Sequence, residues 1–450
     1  MALQGFKIAT FANIQPGATA SGWWNNAKSE VYRLNAWPKV APGVVASAEI
    51  TKVSGLVHGT PSERELHFDV KNTGATTIDI DVWGLGWDWS LQDMLGAVRA
   101  EFGVPAVGGA TVTTQGITEL GVSGIRKHGS TVAVEAGDCW HLGSDTKAMT
   151  ATLLAVLAQK GIVGWDVTVA QAFPEWAQTM NAIFKDATFE RLMAHRSGIL
   201  NVTAAESTAL ADTSKTVPQR RREFARLITH RQHGDPNVLF DAPGFVFSYQ
   251  NANFILAGAM LERCTGKSWE DLMTTELFQP LGMTTAGFGA PGSASDVNEP
   301  WGHSDASGQR VASKDDNTAG LGPAGTVHAS LQDWARFIRL HLDGSEGSLT
   351  LLPTSLARLH TQYPTNMIYP NRYGWGWIMY DDFGGLALTH DGSNTLWYCK
   401  CQILPGKGLG FLAVSNIGAD VAGDPARQYG KGKFACDKII DKLRERQFQM

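Results

Sequence analysis

Nowhere in its 450 residues does the chain string together the roughly 18 apolar residues of a bilayer-spanning helix, so no membrane span is expected. Cysteine is scarce. The five present, Cys139, Cys264, Cys399, Cys401 and Cys436, include no C-x-x-C pair, which argues against a disulfide framework and against a thiolate zinc site. Cys399 and Cys401 fall on one face of an apolar stretch and read as small hydrophobes. Charge of one sign is missing too: 38 basic against 43 acidic residues give a formal net charge of −5, which offers nothing to nucleic acid or an anionic membrane. No G-x-S-x-G elbow occurs, so the α/β-hydrolase route to serine chemistry is closed. CTGKS (Cys264 to Ser268) ends like a phosphate-binding loop, but Leu261 stands where its first glycine must be. His230 and His233 lie among arginines without an acidic co-ligand, so no metal is expected, and no cofactor motif is present. The opening MALQGFKIATFANIQPG is a poor export signal, which makes a cytoplasmic location the expectation.

What is present is an ordinary globular composition, 43% apolar and 18% charged, long enough for more than one domain. The first 88 residues have their own texture. ELHFDVKNTGATTIDIDVW alternates Leu66, Phe68 and Val70 on one face, then Ile78, Ile80 and Val82, and reads as a β-hairpin with one buried side. Six of the fifteen tryptophans (Trp23, Trp24, Trp37, Trp83, Trp87 and Trp89) fall here and are expected to pack. The expectation is a β-sandwich-like domain over 1–88 and a second domain over 89–450. That second part reads as an amphipathic helix at SLQDMLGAVRAEFG, two strands, a helical middle between about 165 and 350, then four late strands and a closing helix. Early and late strands are expected to share one sheet, giving an α+β architecture.

The stretch HLGSDTKAMTATLLAVLAQKG sets the functional question. After Lys147 it is apolar almost all round until Gly161, and a helix without a polar face belongs in a core. Gly161 falls where a left-handed cap ends such a helix. Ser144 and Lys147, three apart, share a face at its N-terminal end. Two readings follow from the residues alone. One is a capping serine with a lysine reaching to water. The other is a hydroxyl beside a partly desolvated amine that acts as its base.

Three further segments bear on that choice: Tyr249-Gln250-Asn251 ahead of a helical run, MAHRSGI around Ser197, and His390-Asp391-Gly392 on a late strand. With Ser144-Asp145-Thr146-Lys147 they resemble the serine β-lactamase and penicillin-binding-protein superfamily. Its class C β-lactamase-like branch, with the family VIII carboxylesterases and D-aminopeptidases, is the nearest in pattern. S-x-x-K, Y-x-N and an H-x-G in the place of K-T-G occur in order. LMAHRSGI, FQPLGM and GPAGTVHASLQDWARFI resemble framework segments, so the likeness covers roughly residues 90 to 446.

The resemblance implies a β-lactamase/transpeptidase-like fold, an antiparallel sheet flanked by helices plus a mostly helical lobe, with the N-terminal all-β domain added. It implies Ser144 as nucleophile, Lys147 and Tyr249 as the acid–base pair, and an oxyanion hole from the backbone N–H groups of Ser144 and Ser393. A cationic lysine beside Tyr249 would depress the phenol pKa, and the two would titrate together. Asn251 would orient Lys147 or a substrate carbonyl, Gly392 would leave room for the acyl group, and His390 would donate a hydrogen bond to an uncharged ester oxygen where relatives offer a lysine. Asp391 is expected to face away. The implied activity is a metal-independent, cofactor-free carboxylesterase acting on small molecules through an acyl-enzyme. A β-lactamase, D-aminopeptidase, amidase or acyltransferase could use the same residues, and a degenerate fold used only for binding is the non-enzyme alternative. Oligomeric state is left open.

Overall fold

A computed structural model describes residues 3–24, 29–39, 48–57, 64–74, 78–88, 90–238, 246–305, 308–364, 372–418 and 430–448. It divides into two compact units, Met1–Ala97 with Asp441–Met450, and Val98–Ile440.

In the first unit the described residues before 89 are all strand and turn. β1 (Leu3–Ile14), β2 (Thr19–Trp24), β3 (Ser29–Lys39), β4 (Ala48–Val57), β5 (Arg64–Asn72) and β6 (Ile78–Asp88) form two three-stranded antiparallel sheets, ordered β1-β6-β3 and β2-β5-β4. The expected hairpin is therefore a misreading. Both segments are strands, but β5 and β6 lie in different sheets. The Asn72 carboxamide explains the parting: its oxygen accepts from Gly74 N–H, turning the chain, while its Nδ2 donates to the Ile14 carbonyl of β1. Val70 and Ile80 are fully buried. The six tryptophans lie outside the residues whose side chains are described.

The second unit is α+β as expected. Its seven-stranded antiparallel sheet runs Arg372–Tyr373, Ile378–Asp382, Gly385–Ser393, Tyr398–Leu404, Leu409–Ser415, β7 (Ala106–Thr113), β8 (Gly116–Gly124), so the earliest strands join the latest. α2 (Thr146–Gln159), the second helix after α1 (Leu91–Phe102), carries the apolar run after Lys147. Leu153, Leu154, Val156 and Leu157 on it are fully buried, each worth about 1.5–3 kcal/mol of removed apolar surface. Gly161 follows at φ +69°, the left-handed value a helix stop favours.

Alternation along Tyr398–Leu404 assigns the two faces of the sheet. Tyr398 and Lys400 face the closing helix Gly430–Phe448, where Lys400 pairs with Asp437. Cys399 and Cys401 face the start of α2. Asp391 accepts from the Tyr398 hydroxyl at 2.8 Å and so lies on the closing-helix face, as expected.

Candidate active site

Ser144 is the one residue between 138 and 157 that is not buried. It sits in a single 3₁₀ turn, Gly143–Asp145, running straight into α2. Two glycines let this turn approach the strand Gly385–Ser393. A Cβ on Gly143, whose φ is +46°, would stand 2.3 Å from the Ser393 nitrogen. A Cβ on Gly392 would stand 1.9 Å from the Leu142 carbonyl oxygen. The room expected for an acyl group at Gly392 is thus filled by the chain leading into the Ser144 turn. The Ser393 backbone nitrogen is left close against that turn, and the Ser393 hydroxyl donates to the Trp397 carbonyl.

Further contacts brace the same turn. The buried His141 accepts the Gly143 N–H on Nδ1 at 3.1 Å, so its proton is on Nε2, which lies 2.9 Å from Asp316 Oδ1. Asn394 Nδ2 and Asn317 N–H donate to that oxygen. Sequence reasoning overlooked His141, Asp316 and Asn394. Flanking Ser144 and the H-D-G triplet in sequence was the available signal for His141 and Asn394.

Lys147 is fully buried, and its amine donates to Ser144 Oγ at 2.9 Å and to the Ala324 carbonyl at 2.7 Å. Ala324 belongs to the GPAGTVHAS framework segment, whose Pro323 carbonyl also accepts from Thr150 on α2. Burial pushes the Lys147 amine down to about 7, with the Asp145 carboxyl opposing.

Tyr249 stands at the rim with 40% of its surface exposed, yet its hydroxyl turns inward to Ser144. The Lys147 amine lies 4.9 Å from the centroid of its ring. Burial of the hydroxyl end pushes the phenol upward. The Ser144 hydrogen bond opposes this, while Asp145 and Asp391 add to it. The expected depression of the phenol by Lys147 does not occur.

Behind Tyr249 lies an aromatic wall that the sequence reading did not assemble. His195, at φ +57°, packs on Tyr249 at 4.4 Å between ring centroids and on Tyr373 at 4.8 Å. Its Nδ1 accepts the Gln250 N–H. His390, 1% exposed, has Nδ1 2.8 Å from the Asp391 carbonyl and Nε2 3.2 Å from the Tyr373 hydroxyl. A carbonyl only accepts, so Nδ1 carries the proton and Nε2 receives the phenol. Burial, aided by the Lys147 charge, lowers His390 to about 3. The ring is neutral and both its nitrogens are engaged internally, so the donor expected for a substrate is already used.

Asn251 begins the helix Asn251–Thr265, and neither hydrogen bond of Lys147 goes to it. It lines a cavity of about 270 Å³ with Gln250 and the apolar Val202, Leu210, Ile255 and Leu321; among the described residues no charged side chain lines it. Trp375, Trp377 and Trp397 are buried in the core. Among the described residues no group of three or more His, Cys, Asp or Glu is placed to hold a metal ion, and no helix is long and apolar enough to cross a membrane.

The sheet and helical lobe have the β-lactamase/transpeptidase-like fold. Similar solved structures include the D-amino acid amidase of Ochrobactrum anthropi SV3 (TM-score 0.63, 20% identity, 80% of this chain and 99% of that one). The octameric penicillin-binding protein homologue of Pyrococcus abyssi has TM-score 0.62 at 20% identity, over 80% of this chain and 77% of that one. A class C β-lactamase of Rhodobacter sphaeroides has TM-score 0.59 at 18% identity, over 78% and 98%. Residues 103–431 match the family model described as Beta-lactamase, so the chain belongs to that family, among the hydrolases of the serine β-lactamase and penicillin-binding-protein superfamily. In sequence it is 28% identical over 337 residues to penicillin-binding protein 4 of Amycolatopsis lactamdurans, covering 73% of this chain and 84% of that protein. It is 24% identical over 283 residues to protein flp of Staphylococcus aureus, covering 62% of this chain but only 53% of that protein.

Proposed function

We propose that the protein is a serine hydrolase working through an acyl-enzyme on Ser144, with uncharged carboxylic esters as its preferred substrates. The observation that carries this reading is the buried Lys147 amine on the Ser144 hydroxyl at 2.9 Å. An amine near 7 is partly free of its proton at neutral pH and can accept one from serine, whereas the raised phenol of Tyr249 keeps its own. That assigns Lys147 as base and Tyr249 as donor. Ser144 Oγ attacks the ester carbon while its proton passes to Lys147. The oxyanion accepts from the Ser144 and Ser393 backbone N–H groups. Tyr249 protonates the departing alkoxide and is recharged from the Lys147 ammonium, and water then releases the acid by the same steps in reverse order.

The substrate class rests on what the site withholds. Its late-strand histidine is neutral and internally bonded, so this ring offers no cation to a carboxylate. Among the described residues the cavity beside Asn251 has no charged lining, which suits an uncharged acyl or alcohol group held near that carboxamide.

The test is intact mass after treatment with a fluorophosphonate. A single adduct that disappears in Ser144→Ala is expected, and its absence from folded wild type would leave only a binding role. A panel of nitrophenyl esters, D-amino acid amides and a chromogenic cephalosporin then fixes the substrate. Esters should turn over fastest. A higher kcat/KM on the amides or the cephalosporin would replace the ester reading with an amidase or β-lactamase one.

A further inference from the structure

Asp145 stands between the serine and the lysine, and no step above uses it. Its side chain does not cap the helix it opens. It reaches into the sheet, where the Cys401 thiol lies 3.0 Å from Oδ1 and the Cys399 thiol 3.1 Å from Oδ2. Asp145 is 1% exposed and Lys147 not at all, and among the described residues no carboxylate pairs directly with the amine. The other groups facing the pair are few. Around Lys147 are Ser144, the Ala324 carbonyl, the Tyr249 and Phe254 rings, and beyond them His195 and His390, whose imidazoles burial and the lysine keep neutral. Around Asp145 are Cys399 and Cys401, with Asp391 acting from further along the sheet.

We propose that Asp145 is a positioning residue for the reaction that acts through Lys147: its thiol-held carboxyl decides how readily the amine stands neutral when Ser144 must lose its proton. This rests on the reading of Ser144 as nucleophile and Lys147 as base. A proton can sit on either of these two buried groups. Held on the carboxyl, it leaves an amine lone pair free for Ser144. Held on the amine, it leaves an ammonium–carboxylate pair that cannot accept the serine proton. Burial favours the uncharged arrangement, and the two S–H donors favour the carboxylate. Accordingly burial lifts the Asp145 carboxyl against the two thiols and lowers the Lys147 amine, and the charge on each favours the charge on the other. Two cysteines that read as filler in the sequence thereby hold a working carboxyl.

Phosphonylation of Ser144, followed by intact mass across pH, reads the fraction of neutral amine without needing the natural substrate. Asp145→Asn keeps the shape but can never become an anion, so the acid limb of the labelling profile should move to lower pH by on the order of one unit. Cys401→Ala removes one donor to the carboxylate and should move the limb the same way by less. The double variant should match Asp145→Asn, because the thiol acts only through the carboxyl. Should Asp145→Asn fail to fold, Cys401→Ala carries the test alone. A folded variant that labels with the wild-type limb overturns this inference and leaves the acyl-enzyme reading standing. Wild-type protein that takes no adduct on Ser144 overturns that reading and this inference with it.

Discussion

Tyr249 and His390 mark the reach of residue-level reasoning. Both are picked out by the family motifs they resemble, Y-x-N and H-x-G, and the structure places their ring centroids 6.2 Å apart. Residue type and position do not say which atoms meet which. The His390 nitrogens are consumed by the Asp391 carbonyl and Tyr373, and Tyr373 sits in no motif that singles it out. Asp145 is named in the sequence only as a member of the Ser144-Asp145-Thr146-Lys147 motif, with no role of its own. Its partners lie more than 250 positions away in sequence. In the proposed mechanism Tyr249 gives a proton to the leaving group, so Tyr249→Phe should lower kcat by roughly 10²–10⁴-fold on a poor leaving group, the usual range for a placed acid. The loss should be smaller on an activated nitrophenyl ester, whose leaving group needs less help. Equal loss on both esters would take Tyr249 out of the protonation step.

Elements were read more securely than their neighbours. α2 announces itself by an apolar run too uniform for a surface, and the late strands by their alternation and glycine breaks. Pairing is another matter: alternation tells which face of β5 is buried but not which strand lies alongside, so the hairpin was drawn where two sheets part. The crossing of the Ser144 turn over the strand Gly385–Ser393 was also out of reach, since it depends on backbone approach and not on side-chain pattern. Gly392→Ala should push the Leu142 carbonyl away and shift Ser144 against the Ser393 nitrogen. Overpacking of this kind costs roughly 1–3 kcal/mol. Thermal melting should register that loss, and Ser144 labelling should fall further than the melt alone explains. A variant that melts and labels like wild type would mean the turn has another way to sit.

For the whole molecule, acid should be the weak side. Burial holds His303 at about 4, His360 at about 4 and His390 at about 3, against 6.5 for free histidine. Below 6.5 the unfolded chain takes up protons that the fold refuses, so these groups make stability fall as pH drops from 6.5 toward 4. Asp145 works in the opposite sense, since its raised carboxyl binds a proton in the fold that the unfolded chain releases above about 4. Comparing single variants separates the two: His360→Gln should flatten the curve of Tm against pH between 6.5 and 4, and an unchanged slope would acquit that histidine. We also propose that residues 1–88 are a module separate from the chemical centre. Their removal should leave kcat on a small nitrophenyl ester within a few-fold, and collapse of kcat on that ester in a folded truncation would refute this.

The seven-stranded sheet also carries a clock. β7 pairs with Leu409–Ser415, and the Ala106 nitrogen is held by the Asn416 carboxamide across 310 positions of chain. Pairings between such distant segments form late, because a long loop must close before any contact rewards it. Ser144 and Lys147 are synthesised early and three residues apart, but the strands bearing Ser393 and the two thiols arrive only with the last quarter of the sequence. A growing chain therefore carries Ser144, the proposed nucleophile, for most of its synthesis without the Ser393 nitrogen or the two thiols around Asp145. Reactivity toward a phosphonate should then appear during refolding as one late phase, coincident with closure of the sheet and well after the helices have formed.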